Sequence, residues 1–304
     1  MADAARGRGI DELLAVMRRL RDPESGCPWD VQQDFASIAP YTIEEAYEVE
    51  DAIARADWRD LEAELGDLLL QVAYHSRMAE ERGLFDFDSV ARGITAKMVA
   101  RHPHVFGEAE IADATATHAV WEDAKAAERA AKADSGGDAS LLANVPLTLP
   151  ALTRALKLQK RAARAGFDWG EARPILAKLR EELDEVEAAL NAGRDDEVAL
   201  EVGDVLFTVV NLARHLDADP EAALRGTNAK FERRFRAIEA EAAGAGRKVG
   251  EMPLDELEAA WERAKAAERA GTGGYRPAPA LSSSGLAAPA APGDQACRKR
   301  HRGG

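Results

Sequence analysis

The chain has 304 residues and a formal net charge of −14, with 46% hydrophobic but only 6% aromatic residues. That length holds two domains with real cores, and the dominance of Ala, Leu, Glu, Arg and Asp over β-branched residues favours helix over sheet. Acidic residues spread along the chain argue against broad nucleic-acid binding, and no apolar run approaches the roughly 18 residues of a membrane span.

Residues 10–20, IDELLAVMRRL, have helical periodicity, and the following RDPESGCPWD is expected to be loop because Pro23, Gly26 and Pro28 interrupt it. A second helix is expected from Thr42, with Thr42 as its cap and Glu45 as capping-box partner. Asp57 is expected to cap the next, WRDLEAELGDLLLQVAYHSRMAEE, and Gly83 to close it in a left-handed conformation. A helix from about Asp88 is stopped by Pro103, and a last one in this half covers roughly 116–133. The polar, glycine-containing stretch 131–145 reads as a linker.

From Pro146 the pattern restarts, with helices expected near 150–165, 173–191, 195–216, 219–243 and 254–270. The organisation is therefore an N-terminal helical domain over 1–130, the linker 131–145, and a C-terminal helical domain over 146–271. Residues 272–304 are rich in Pro, Ala, Gly and Ser and are expected to be a disordered tail. Cys27 and Cys297 lie far apart, and MADAARGRGIDELL lacks a signal-peptide apolar run, so a reducing, cytoplasmic setting is expected.

The two halves repeat one another. WEDAKAAER at 121–129 recurs as WERAKAAER at 261–269, eight of nine residues matching. Glu44, Glu45, Glu48, Glu64 and Asp67 correspond to Glu181, Glu182, Glu185, Glu201 and Asp204, each at an offset of 137 residues. Lys97 and Arg101 correspond to Lys230 and Arg234, and Gly26 and Trp29 to Gly166 and Trp169. Shared order, spacing and identity point to duplication.

The acidic pattern is EExxE followed by ExxD, and Glu185 lies six residues before the Asn191–Asp195 turn while Glu201 lies six after it. In an antiparallel helix pair both sit at one height, roughly 9 Å up each helix. Each like-charge pair at about 5 Å costs roughly 3 kcal/mol at an effective dielectric of 20, so the cluster calls for a cation. Carboxylates without His or Cys are ligands for Mg²⁺, with Mn²⁺ as a substitute. Glu182, Glu185, Glu201 and Asp204 are the candidate ligands, and Glu181 or Glu182 the candidate base. Mg²⁺ held this way takes further ligands from phosphates, for which Lys178, Lys230, Arg234 and Lys265 are candidates, with Trp261 for stacking on a base. In the first copy the corresponding candidates are Glu44, Glu45, Glu48, Glu64, Asp67, Lys97, Arg101, Trp121 and Lys125.

The segments RLRDPESGCPWD, APYTIEEAYEV, ELGDLLLQV, RHPHVF, GFDW, EELDEV, EVGDVLF, VNLARHL and KFERRFR closely resemble the MazG nucleoside triphosphate pyrophosphohydrolases over residues 10–270. The resemblance implies an all-α fold of tandem helical bundles that dimerise through four-helix packing. It also implies Mg²⁺-dependent conversion of NTP and water to NMP and pyrophosphate, in nucleotide-pool control, with the C-terminal copy carrying the activity. A nucleotide-binding regulatory dimer without turnover is the competing reading. A di-iron bundle is disfavoured because neither repeat offers Glu-x-x-His, and the chain has no P-loop or Rossmann glycine motif.

Overall fold

The computed structural model describes residues 8–107, 120, 138 and 140–271, and these divide into two compact units, Met1–Lys125 and Ala126–Gly304. The described residues are helical with no strand, as the composition implied. Among them no helix is long and apolar enough to cross a membrane. The helix expected over 116–133, with Trp121 and Lys125, lies outside the described residues, as does the tail 272–304.

The first unit contains α1 (Arg8–Leu20), α2 (Pro28–Gln32), α3 (Phe35–Arg55), α4 (Trp58–Glu81), α5 (Phe87–Arg101) and α6 (Pro103–Phe106). Its centre is the long α3–α4 hairpin, against which α1 packs through Met17, Ile38, Tyr74 and Met78, with Leu20, Phe35 and Leu70 around them. Asp57 caps α4 by accepting from the Asp60 amide, and Gly83 has a φ of +66° just beyond its end, both as expected.

Two expectations fail here. The α3 helix starts at Phe35, not Thr42: Asp34 accepts from the Ser37 amide while Ser37 Oγ accepts from the Asp34 amide, a complete capping box. Pro40 therefore lies inside the helix, where its missing N–H would ordinarily disfavour it. The start is held from outside, since Phe35 packs against the core, stacks on His75 and lies under the Arg82 guanidinium. Thr42 is a mid-helix residue whose hydroxyl meets His75 Nε2 at 3.1 Å. The other failure is the CPWD stretch, which forms the short helix α2, begun by Pro28 at a position needing no amide donor.

Gly26 explains why the chain can enter α2. Its amide bonds the Asp22 carbonyl at 2.8 Å, and a Cβ there would meet the Leu20 and Asp22 carbonyl oxygens. Arg21 then fastens the loop, donating to the Asp30 and Gln33 carbonyls and pairing with Glu81 at 2.7 Å. Tyr74 adds a hydroxyl bond to Asp30 at 3.0 Å.

The second unit contains α7 (Ala151–Arg164), α8 (Ala172–Asn191), α9 (Asp195–His215), α10 (Pro220–Gly244) and α11 (Leu254–Arg269). Each lies within a residue or two of its expected span. The α8 and α9 helices form a hairpin turned by Gly193 at φ +66°, α10 and α11 form another, and α7 packs against α9 and α10. Ile175, Ala189, Val210, Ile238, Ala242 and Ala260 are its fully covered apolar residues. Ala143 and Val145, at the end of the expected linker, are also buried, and Arg161 holds the Ala143 carbonyl.

Candidate active site

The α8–α9 hairpin does what the six-residue symmetry about the turn required. One carboxylate oxygen from each of Glu182, Glu185 and Glu201 lies within 4.8 Å of the others. Helical spacing puts Glu182 and Glu185 on the face that also carries buried Ile175 and Ala189, so the acids sit at the edge of the core. Glu182 is 5% exposed. Burial, and then the charges of Glu182, Glu201 and Glu181, push the Glu185 carboxyl up, with Lys178 acting against them.

The α3–α4 hairpin builds the same group from Glu45, Glu48 and Glu64, again within 4.8 Å. Burial raises Glu45, with further contributions from a hydrogen bond to Glu48 and the charge of Asp67. Glu64 is raised by burial and then by Glu48, Asp60 and Asp67. Asp204, Asp67, Glu181 and Glu44 lie outside these triads. Glu181 is exposed and accepts from Lys178 Nζ at 2.9 Å, while the same ammonium reaches Glu182 Oε1 at 2.8 Å. Their two carboxylates raise the Lys178 pKa, Glu182 most.

The remaining basic candidates gather on the α10–α11 hairpin. Arg234 pairs with Glu268 at 2.8 Å, and its guanidinium lies 5.3 Å over the Trp261 ring. Trp261 in turn packs on Phe231 with ring centres 5.4 Å apart. Lys265 pairs with Glu262 at 3.0 Å. Lys230 is half-buried on α10, and Lys97 is exposed on α5 with Arg101 half-buried one turn on. Among the described residues, Arg234 and Lys265 pair with Glu268 and Glu262 of their own hairpin rather than with the carboxylate triad.

Glu268 and the Asp168–Arg214 pair hold this arrangement and escaped the sequence reading. Glu268 fixes Arg234, and its signal was present, because it recurs as Glu128 in the repeated WE-AKAAER segment. Asp168, in GFDW, receives two Arg214 bonds and lies 3.2 Å from His215 Nε2. Arg214 first, then burial acting oppositely and the Trp169 amide, leave Asp168 below the usual carboxylate range. This pins the loop entering α8 to the end of α9, through two residues 46 apart in sequence.

Paired antiparallel helices, each pair carrying a carboxylate triad, define a class of all-α protein built by duplicating one acidic hairpin. The family model of the MazG nucleotide pyrophosphohydrolase domain matches this chain twice, at residues 33–106 and 171–238. Each match spans one triad-bearing hairpin together with Lys97 and Arg101, or Lys230 and Arg234. A nucleoside triphosphate pyrophosphohydrolase of Escherichia coli strain K12 is 49% identical over 261 residues, covering 85% of this chain and 98% of that protein. The nucleoside triphosphate pyrophosphohydrolase/pyrophosphatase MazG of Thermotoga maritima is 39% identical over 256 residues, covering 84% and 95%. The chain belongs to the MazG family.

Proposed function

We propose that this protein is a nucleoside triphosphate pyrophosphohydrolase of the cytoplasm, converting NTP and water to NMP and pyrophosphate with Mg²⁺, as a homodimer. The observation that carries the reading is the triad of Glu182, Glu185 and Glu201 on a hairpin of the family's domain. An all-carboxylate donor set without His or Cys suits a hard divalent cation. Glu182, Glu185 and Glu201 would hold it, with Asp204 one helical turn beyond. Bound there, Mg²⁺, or Mn²⁺ in its place, supplies positive charge against the triphosphate and eases deprotonation of the attacking water.

Glu181 lies outside the triad and is open to solvent, which suits it to take the proton from water attacking the α-phosphorus. Lys178, Lys230, Arg234 and Lys265 bind the phosphates and the departing pyrophosphate. Arg234 and Lys265 exchange Glu268 and Glu262 for phosphate oxygens as substrate enters, and Trp261 offers its ring to the base.

The dimer reading rests on the α8–α9 surface. Leu176, Leu183 and Leu190, spaced by seven residues, are all more than a third exposed, as are Val202, Leu206 and Val209 on α9. Exposed apolar rows on both helices of one hairpin suit burial against its copy in a four-helix arrangement. Pyrophosphate release from a panel of NTPs, with Mg²⁺ and with EDTA, tests the function. Release that needs Mg²⁺ and disappears in Glu182→Gln is expected; full activity of that variant removes the assignment.

A further inference from the structure

The ion pair at Lys178 has a consequence that differs between the two copies. Its ammonium lies 2.8 Å from Glu182 Oε1 and 2.9 Å from Glu181 Oε1, and the Glu182 side chain is only 7% exposed. A carboxylate so covered needs a partner, and Glu182 additionally faces Glu185 and Glu201. At the offset of 137 residues that relates the two acidic patterns, the first copy has Tyr41 where the second has Lys178. Tyr41 is 43% exposed and brings no positive charge to Glu45 and Glu48.

We propose that Lys178 is the built-in counter-ion of the metal-free C-terminal triad, and that a divalent cation releases it from Glu182 to the triphosphate. The inference rests on the reading of the triad as the Mg²⁺ site. Lys178 is attracted while the triad carries uncompensated negative charge. A divalent cation bound to the three carboxylates cuts their net charge from −3 to −1 and sets two positive charges against the ammonium at short range, so the hold on Lys178 is weakened. Lysine is a compact charge on a flexible four-carbon stem, so the ammonium can turn away without moving α8. Metal binding and phosphate binding are thereby linked through one residue, and Lys178 acts on the metal as a positioning residue. The N-terminal triad, with Tyr41 in place of this lysine, takes its cation without that displacement.

The test is calorimetric titration of the full-length protein with Mn²⁺ in the absence of nucleotide, with the N-terminal triad silenced by Glu45→Gln/Glu48→Gln. In that background Lys178→Met is expected to bind Mn²⁺ about tenfold more tightly, the order set by a divalent and a unit charge about 5 Å apart in water. Lys178→Gln, which keeps a donor for Glu182 and guards against loss of folding, is expected to do the same. Lys178→Arg is expected to restore the parent affinity to within about threefold. Unchanged or weaker Mn²⁺ binding in both neutral variants overturns the inference while leaving the metal site standing. Absence of Mn²⁺ binding in the parent as well as in the variants overturns the metal reading itself.

Discussion

Arg234 and Glu268 grip one another across the α10–α11 hairpin, Nε and Nη2 reaching the same carboxylate oxygen at 2.9 and 2.8 Å. The same guanidinium covers Trp261. A phosphate that recruits Arg234 must compete with Glu268, whose carboxyl is held below its usual range, chiefly by Arg234. Glu268→Gln should therefore lower KM for NTP by about threefold, while Arg234→Met should raise it at least about tenfold, as loss of a charge-assisted phosphate contact implies. Steady-state pyrophosphate release over a range of ATP concentrations checks both. A rise in KM for Glu268→Gln would mean that Glu268 positions Arg234 rather than competes for it.

The triads make the metal-free protein respond to pH in a definite direction. Glu45, Glu64 and Glu185 all have carboxyls raised above the ordinary glutamate value of 4.5. A raised folded-state pKa means that the folded chain binds protons more readily than the unfolded one, so these groups oppose folding when charged. Their cost is present above the raised values and disappears as pH falls through them toward 4.5. Glu81, Asp168 and Glu268 are shifted the other way, and their stabilisation is lost as pH falls through their lowered values. In EDTA the Tm should rise as pH is lowered from 7 towards 5 and fall below about 4. Added Mg²⁺ should flatten the upper limb. Thermal melts across that range decide the matter.

The loop entering α8 depends on one carboxylate. Asp168 bonds Arg214 through both oxygens and lies beside His215, and the Arg214 side chain is 14% exposed. Asp168→Ala leaves that guanidinium with only its Asn211 contacts. A loss of about 1–2 kcal/mol is expected, at the lower end for charged hydrogen bonds because the pair is partly solvated. Denaturant unfolding at pH 7 measures it. A smaller loss at pH 3 than at pH 7 is also expected, since Asp168 sits below its ordinary value in the folded chain and its stabilisation fades once the unfolded chain takes up the proton.

Much of this was legible in the sequence for a physical reason. A 3.6-residue period and turn residues fix long amphipathic helices, and equal distance from a tight turn fixes which residues face each other. Glu185 and Glu201 are thus paired by the sequence alone. The start of α3 was not legible, because Pro40 marks a helix boundary by local rules and only Phe35 packing on the core, His75 and Arg82 overrides it. The partners of the basic residues were equally hidden. Spacing aligns Arg234 with Lys230 along α10, but nothing local says that Glu268, 34 residues away, occupies its guanidinium.

Gly26 and Gly166 occupy corresponding places for different reasons, and substitution should separate them. Gly26 has no room for a Cβ, which would press on the backbone carbonyls of Leu20 and Asp22. Gly166 has open space but a φ of +83°. Gly26→Ala must move the turn that carries α2 and should cost about 2–3 kcal/mol, whereas Gly166→Ala should cost about 1 kcal/mol from backbone strain alone. Denaturant unfolding of the two variants side by side gives the comparison. Equal losses would show that the α2 loop shifts to make room.

The two triads share their geometry and differ in the cation beside them, so their contributions to turnover can be separated. Glu182→Gln/Glu185→Gln neutralises two of the three C-terminal carboxylates that converge within 4.8 Å. It should lower kcat at least about a hundredfold, the scale for losing proton transfer and metal-assisted charge stabilisation together. Glu45→Gln/Glu48→Gln alters the copy that has Tyr41 in place of Lys178. It should leave kcat within about twofold, as expected of independent sites, and should stabilise the metal-free chain by removing repulsion among Glu45, Glu48 and Glu64. Pyrophosphate release and thermal melts in EDTA on the same preparations read both effects. A comparable loss of kcat from the N-terminal pair would mean that both copies turn over substrate.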